Sequence, residues 1–125
     1  MPRKILVVDD DHDIRRLLDL ELRAAGYETV FARDAVSVAK VARDERPDLI
    51  LLDLGLPGGD GFVIMERLNA FPALEGVPIV VVSARDPEHN RARALASGAR
   101  AYFHKPFDPD DLLRAIGRYV GGADG

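Results

Sequence analysis

Residues Leu49 to Leu52 are four aliphatic side chains in succession, and the run stops at a carboxylate, Asp53. A loop rich in turn formers follows, with Gly55, Pro57, Gly58, Gly59 and Gly61. Side chains of a strand alternate between the two faces of a sheet, so a strand that is apolar at every position needs cover on both faces. This favours a parallel sheet between helices over an antiparallel sheet with one wet face. In open α/β folds the sites lie outside the carboxyl ends of the strands, which is where Asp53 falls. Taken alone, Asp53 reads equally well as the first residue of a turn.

The rest of the chain repeats the alternation. Ile5 to Val8 is a short apolar run ending at Asp9, Asp10 and Asp11; from Asp13 the residues Ile14, Leu17, Leu18, Leu22 and Ala25 recur at helical spacing before Gly26. Tyr27 to Ala32 reads as a second strand, and Asp34 can cap a helix carrying Val38, Val41 and Ala42 before the turn at Pro47. After the glycine-rich loop, Phe62, Met65 and Leu68 space a third helix that gives out before Phe71-Pro72. Val77 to Val82 is predicted as a strand with Pro78 near its start, ending at Ser83. A polar, arginine-rich helix from Pro87 to Ser97 stops at Gly98, and Arg100 to His104 forms the last strand before Lys105-Pro106. Asp108-Pro109-Asp110-Asp111 then opens a helix that buries Leu112, Leu113 and Ile116. Five strands alternating with five helices, joined by right-handed crossovers, give a three-layer doubly wound parallel sheet.

The 125 residues suffice for one domain with its own core, assigned to residues 1–120, and Gly121 to Gly125 read as a flexible tail or the start of a linker. Basic residues number 17 and acidic ones 21, a net charge of −4 without the overall basic footprint of a nucleic-acid binder. The absence of cysteine excludes disulfides, thiolate metal sites and cysteine nucleophiles. The apolar run near the N-terminus is too short for a signal core or a membrane span, so a cytoplasmic protein is expected.

In the predicted sheet the strand ends carry Asp9 and Asp10, then Asp53, Ser83 and Lys105. Three carboxylates in one pocket repel unless a cation sits among them. Oxygen ligands on a hydrated rim suit a hard divalent ion, and Mg²⁺ is the usual choice beside phosphate. A metal and a lysine ammonium neutralise the oxygens of a phosphoryl group while a carboxylate attacks in line, and Ser83 offers a hydroxyl to the same oxygens. A mixed anhydride on Asp53 is the product this chemistry points to. Each residue also has a plainer role: Asp9 to Asp11 as helix caps, Ser83 as a strand end, Lys105 as a solvated lysine and Pro106 as a turn. Their joint arrival at the ends of four strands favours the shared site.

The motifs VVDD, LDLGLPGGDG, VVSA and YFHKPF resemble the receiver domain of bacterial two-component response regulators, over about Lys4 to Val120. The resemblance implies a flavodoxin-like fold with strand order 2-1-3-4-5. It implies that Asp53 accepts a phosphoryl group from a sensor histidine kinase, a phosphotransfer protein or a small acyl phosphate, with Mg²⁺ (Mn²⁺ as an alternative) at Asp9, Asp10, Asp53 and the Gly55 carbonyl. Lys105 matches the lysine that contacts the phosphoryl group, and Pro106 the proline of a cis peptide. Ser83 and Tyr102 match a switch pair that alters the surface of the fourth helix, fifth strand and fifth helix. Asp11 has no role in the pattern. Such a domain catalyses its own phosphorylation and slow dephosphorylation rather than multiple turnover.

Two neighbours of the phosphoryl position, Gly55 and Arg85, bear on the lifetime of the acyl phosphate, and Arg85 is expected to reach the group. Arg91, Arg93, Arg100, Arg114 and Arg118 read as solvated helix surface, so no direct nucleic-acid binding is expected of this domain. Its GARAYFHKPF segment lacks the acidic pair before the tyrosine common in receivers joined to winged-helix DNA-binding domains. Expected partners are the phosphodonor, a downstream protein or output domain, and a second copy in a phosphorylation-dependent dimer; no membrane is among them. The competing readings are a receiver-like scaffold that never accepts phosphate and a haloacid dehalogenase-type phosphatase, although the latter's second acid is replaced by Gly55. A flavodoxin is disfavoured because Asp9 to Asp11 would repel the flavin phosphate.

Overall fold

The computed structural model describes residues 2–120, so the expected tail at 121–125 lies outside the described residues. Strands and helices alternate: β1 (Lys4–Val8), α1 (His12–Ala24), β2 (Glu28–Ala32), α2 (Ala35–Glu45), β3 (Leu49–Leu52), α3 (Gly61–Ala70), β4 (Ile79–Ser83), α4 (Pro87–Ala96), β5 (Ala99–His104) and α5 (Pro109–Val120). The strands form one parallel sheet in the order β2-β1-β3-β4-β5, as the resemblance implies.

The apolar runs are buried on both faces, and their alternate side chains feed two separate cores. Leu6, Val8, Ile50, Leu52 and Val81 face a cluster completed by Val38 and Ala42 of α2, Met65 and Leu68 of α3, and Ala94 of α4. Ile5, Val7, Leu49, Leu51, Val80 and Val82 face the opposite layer, where Leu18 and Leu22 of α1 meet Leu112, Ile116 and Val120 of α5. Each large aliphatic side chain so buried contributes about 1.5–3 kcal/mol.

Acids start the helices. Asp11, Asp34, Asp60 and Asp86 accept from backbone amides of the first turns of α1, α2, α3 and α4, which gives Asp11 a structural role. The Asp108 carboxylate accepts from the Asp110 amide at the start of α5, 2.9 Å away. Gly61 begins α3 against β3's continuation: a Cβ there would stand 2.5 Å from the Leu54 Cα, so only glycine allows the approach.

Several details differ from the sequence reading, among them the half-burial of Leu113 and the exposure of Ala25. β4 starts at Ile79 rather than Val77, because Pro78 has no N–H to donate and only its carbonyl joins the ladder, accepting from the Ile50 amide at 3.0 Å. Leu17 is 37% exposed because the buried stripe of α1 runs through Leu18 and Leu22, with Leu17 at its margin. Pro72–Leu74 forms a 3₁₀ turn after α3 that the apolar pattern did not mark.

Candidate functional site

The ladder continues one residue past the strands, and this aligns the site. The Asp9 amide donates to the Ala32 carbonyl at 3.1 Å, the Asp53 amide to the Val8 carbonyl at 2.9 Å, and the Lys105 amide to the Ser83 carbonyl at 2.8 Å. Residues from β1, β3, β4 and β5 are thereby brought to one rim.

Carboxylate oxygens of Asp9, Asp10 and Asp53 lie within 4.8 Å of one another. The Lys105 Nζ donates to Asp9 Oδ2 at 2.7 Å and to Asp53 Oδ2 at 3.3 Å. The second oxygen of each acid is held by the backbone: Asp9 Oδ1 accepts from the Asp11 amide at 2.9 Å, and Asp53 Oδ1 from the Gly55 amide at 3.0 Å. Asp9 and Asp53 are 2% and 8% exposed, whereas Asp10 is open to solvent.

Three carboxylates facing one ammonium leave two negative charges, the charge that one divalent cation neutralises. Proton affinities show the same surplus. Burial, reinforced by the Asp53 charge, pushes the Asp9 carboxyl above its ordinary 3.8, and the hydrogen bonds from Lys105 and the Asp11 amide only partly offset it. Burial works against the Lys105 ammonium, but the Asp9 hydrogen bond and the charges of Asp53 and Asp9 outweigh it and raise its pKa above 10.5. The donor set is hard oxygen, partly hydrated through Asp10, and fits Mg²⁺.

The segment after β4 is held from β5. Three successive carbonyls accept from it: that of Ser83 from the Lys105 amide, that of Ala84 from the His104 Nε2 at 3.2 Å, and that of Arg85 from the Tyr102 hydroxyl at 2.7 Å. The Ser83 hydroxyl oxygen is fully buried and accepts from the Arg85 amide at 3.1 Å. The Tyr102 ring is buried, and this burial raises its phenol pKa above 10.0 against the lowering effect of the Ser83 hydroxyl.

Asp9, Asp10, Asp53 and Lys105 therefore converge, with Ser83 at the end of β4 and Tyr102 in β5 bonded to the loop that follows β4. The Lys105–Pro106 peptide is cis, as the resemblance implies. Gly55 meets Asp53 through its amide. Arg85 engages this region through its backbone, and its exposed guanidinium makes no ion pair among the described residues. The surface arginines are dispersed: Arg93 stacks 3.8 Å from the Phe62 ring centroid and Arg114 pairs with Asp111. One residue at the site escaped the sequence reading. Arg15 of α1 donates to the Asp9 carbonyl at 2.9 Å. Its contact reaches back six positions to a backbone carbonyl outside the helix, which helical spacing does not mark.

The response regulator receiver domain family matches residues 5–117. The phosphate regulon transcriptional regulatory protein PhoB of Escherichia coli is 39% identical over 116 residues, 93% of this chain and 51% of that protein. The DNA-binding response regulator MtrA of Mycolicibacterium paratuberculosis is likewise 39% identical, over 93% of this chain and 50% of its own length. The chain thus spans about half the length of the curated relatives it matches. Among solved structures, a CheY-like response regulator receiver domain protein from Methanospirillum hungatei superposes with a TM-score of 0.89 at 30% identity, covering 97% of this chain and 95% of that one. The receiver domain of sensor histidine kinase PA1611 from Pseudomonas aeruginosa, solved with magnesium coordinated in its active-site cleft, superposes at 0.88 and 29% identity over 98% of this chain and all of its own. With an acidic rim on a sheet of this order and a match across nearly its whole length, the chain belongs to the response regulator receiver domain family.

Proposed function

We propose that this receiver domain is switched by phosphorylation of Asp53. The observation that supports it most is the meeting of Asp9, Asp10 and Asp53 oxygens within 4.8 Å, with Lys105 bonded to two of the acids. A carboxylate oxygen of Asp53 attacks phosphorus in line while the phosphorus–nitrogen bond of a phosphohistidine, or the phosphorus–oxygen bond of an acyl phosphate, breaks with its electron pair on the departing atom. The leaving imidazole takes a proton from solvent. Lys105, 3.3 Å from Asp53, lies within reach of a phosphoryl group on that oxygen. Mg²⁺, when bound by Asp9, Asp10, Asp53 and the Gly55 carbonyl, supplies further neutralisation of the transferring group. The Gly55 amide holds Asp53 Oδ1 and so orients the carboxylate.

The Ser83 hydroxyl serves the new phosphoryl oxygens and Tyr102 responds, changing the α4–β5–α5 surface. Arg85, exposed beside them, governs the acyl phosphate's lifetime. The upstream partner is a histidine kinase or phosphotransfer protein. The output is a downstream protein, a second copy or a domain outside this chain; PhoB and MtrA are named as regulators of transcription and as DNA-binding, so a DNA-binding output stands beside the others despite the missing acidic pair before Tyr102. The domain itself makes no nucleic-acid contact in this proposal. No helix among the described residues is long and apolar enough to cross a membrane, and a cytoplasmic site of action is part of the proposal.

Incubation with an acyl phosphate and Mg²⁺ tests the proposal by intact mass. A gain of one phosphoryl group, absent in Asp53→Asn, supports it. Steady turnover of a phosphomonoester would favour a phosphatase, and an unchanged mass would favour a scaffold that never accepts phosphate.

A further inference from the structure

Asp9 is unusual in having every backbone and carboxylate polar atom engaged. Its amide donates to the Ala32 carbonyl, its Oδ1 accepts from the Asp11 amide, and its Oδ2 accepts from Lys105. The remaining group, its carbonyl, is held by the Arg15 guanidinium at 2.9 Å, the one contact that comes from a helix side chain. Arg15 is half-buried in the wall of a groove of about 420 Å³ between α1 and β2, with His12, Arg16, Asp19 and Phe31 around it. Asp11 accepts from amides of the first α1 turn and its carbonyl accepts from the Arg15 amide at 3.0 Å, so Arg15 closes the loop of residues 9–11 from both ends.

We propose that Arg15 is a positioning residue for the metal-binding acids: by clasping the Asp9 carbonyl to α1 it fixes the loop that aims Asp9 and Asp10. This inference rests on the proposed Mg²⁺ site and names a residue that acts on it from behind. Two effects of Arg15 oppose each other. As a cation near the acids it repels a divalent ion; as a clasp it holds two ligands in register. Ion placement depends steeply on ligand geometry, and groups that orient metal ligands are worth about 10–100-fold in affinity, so the clasp dominates. Asp10 strengthens the case. It is exposed and makes no hydrogen bond among the described residues, so its aim depends on the loop backbone that Arg15 secures.

The test is a Mg²⁺ titration of the chain and of Arg15→Ala and Arg15→Lys, followed by backbone amide NMR shifts, with metal-free thermal unfolding measured alongside. Arg15→Ala should bind Mg²⁺ about tenfold more weakly, and Arg15→Lys, which keeps a donor of similar reach, should recover most of the loss. Coupling completes the test: added to Asp9→Asn, Arg15→Ala should cost much less than it does alone. Mg²⁺ binding by Arg15→Ala as tight as, or tighter than, that of the unmodified chain overturns the proposal. So does an Arg15→Lys variant as weak as Arg15→Ala, or full additivity with Asp9→Asn. An unmodified chain without Mg²⁺ binding refutes the metal site itself, a result distinct from a site that binds Mg²⁺ and ignores Arg15.

Discussion

The interior of the sheet and its carboxyl rim are made by the same strands, one residue apart, and they obey opposite rules. Val8, Leu52 and Val82 are at most 2% exposed and belong to the two hydrophobic cores. The next residues, Asp9, Asp53 and Ser83, are 2%, 8% and 0% exposed, nearly as buried, yet they carry two charges and a hydroxyl. Inside, burial and chemistry agree and stabilise the fold. At the rim burial opposes charge, and the opposition appears as the raised proton affinity of Asp9. Stability is therefore concentrated in the strand interiors, and reactivity in the residues at the carboxyl ends of β1, β3, β4 and β5.

Three substitutions can break this contrast or sharpen it. Truncating the interior should have the largest effect on stability: Leu52→Ala should lose about 3–4 kcal/mol in urea unfolding, because Leu52 is fully buried in the core on the α2–α3 face and its truncation leaves a cavity there. A loss below 1 kcal/mol, by the same scale, would mean that the centre of the sheet is not the stable part. Lys105→Met should lose about 2 kcal/mol at neutral pH, since Asp9 and Asp53 then face each other without the ammonium that bonds both.

Asp9→Asn should do the reverse and gain about 1 kcal/mol without metal, while weakening Mg²⁺ binding. The sign follows from titration. The folded-state pKa of Asp9 is raised above 3.8, so its protonated form contributes stability at low pH, and that contribution is lost as pH rises through the folded value. The advantage of asparagine should therefore grow with pH and vanish in acid; unfolding curves of both proteins across that window would show it. An advantage that grew toward acid would contradict the assignment of Asp9 as a charge buried against its preference.

Much of this division was legible in the sequence. Apolar runs that stop at Asp9, Asp53 and Ser83 mark where the sheet ends, because a buried carboxylate or hydroxyl needs a polar partner that an aliphatic core does not offer. Pro87 and Gly98 bracket α4 for the same local reasons. What was not legible depends on tertiary distances. Lys105 stands 2.7 Å from Asp9 and 3.3 Å from Asp53, a preference no spacing encodes. Arg15 reaches back six positions to a backbone carbonyl, and a long side chain with many rotamers gives no periodic signal. Leu17 and Leu18 are chemically identical, and only the angle at which α1 lies on the sheet decides which is buried.

The most direct measurement is the location of the phosphoryl group. After incubation with an acyl phosphate and Mg²⁺, reduction with borohydride converts an aspartyl phosphate to homoserine, and peptide mass spectrometry reads its position. Homoserine at residue 53, absent when acyl phosphate is omitted, is the predicted result; an unreduced Asp53 in protein that has gained phosphate, or homoserine at Asp9 or Asp10 instead, would contradict it.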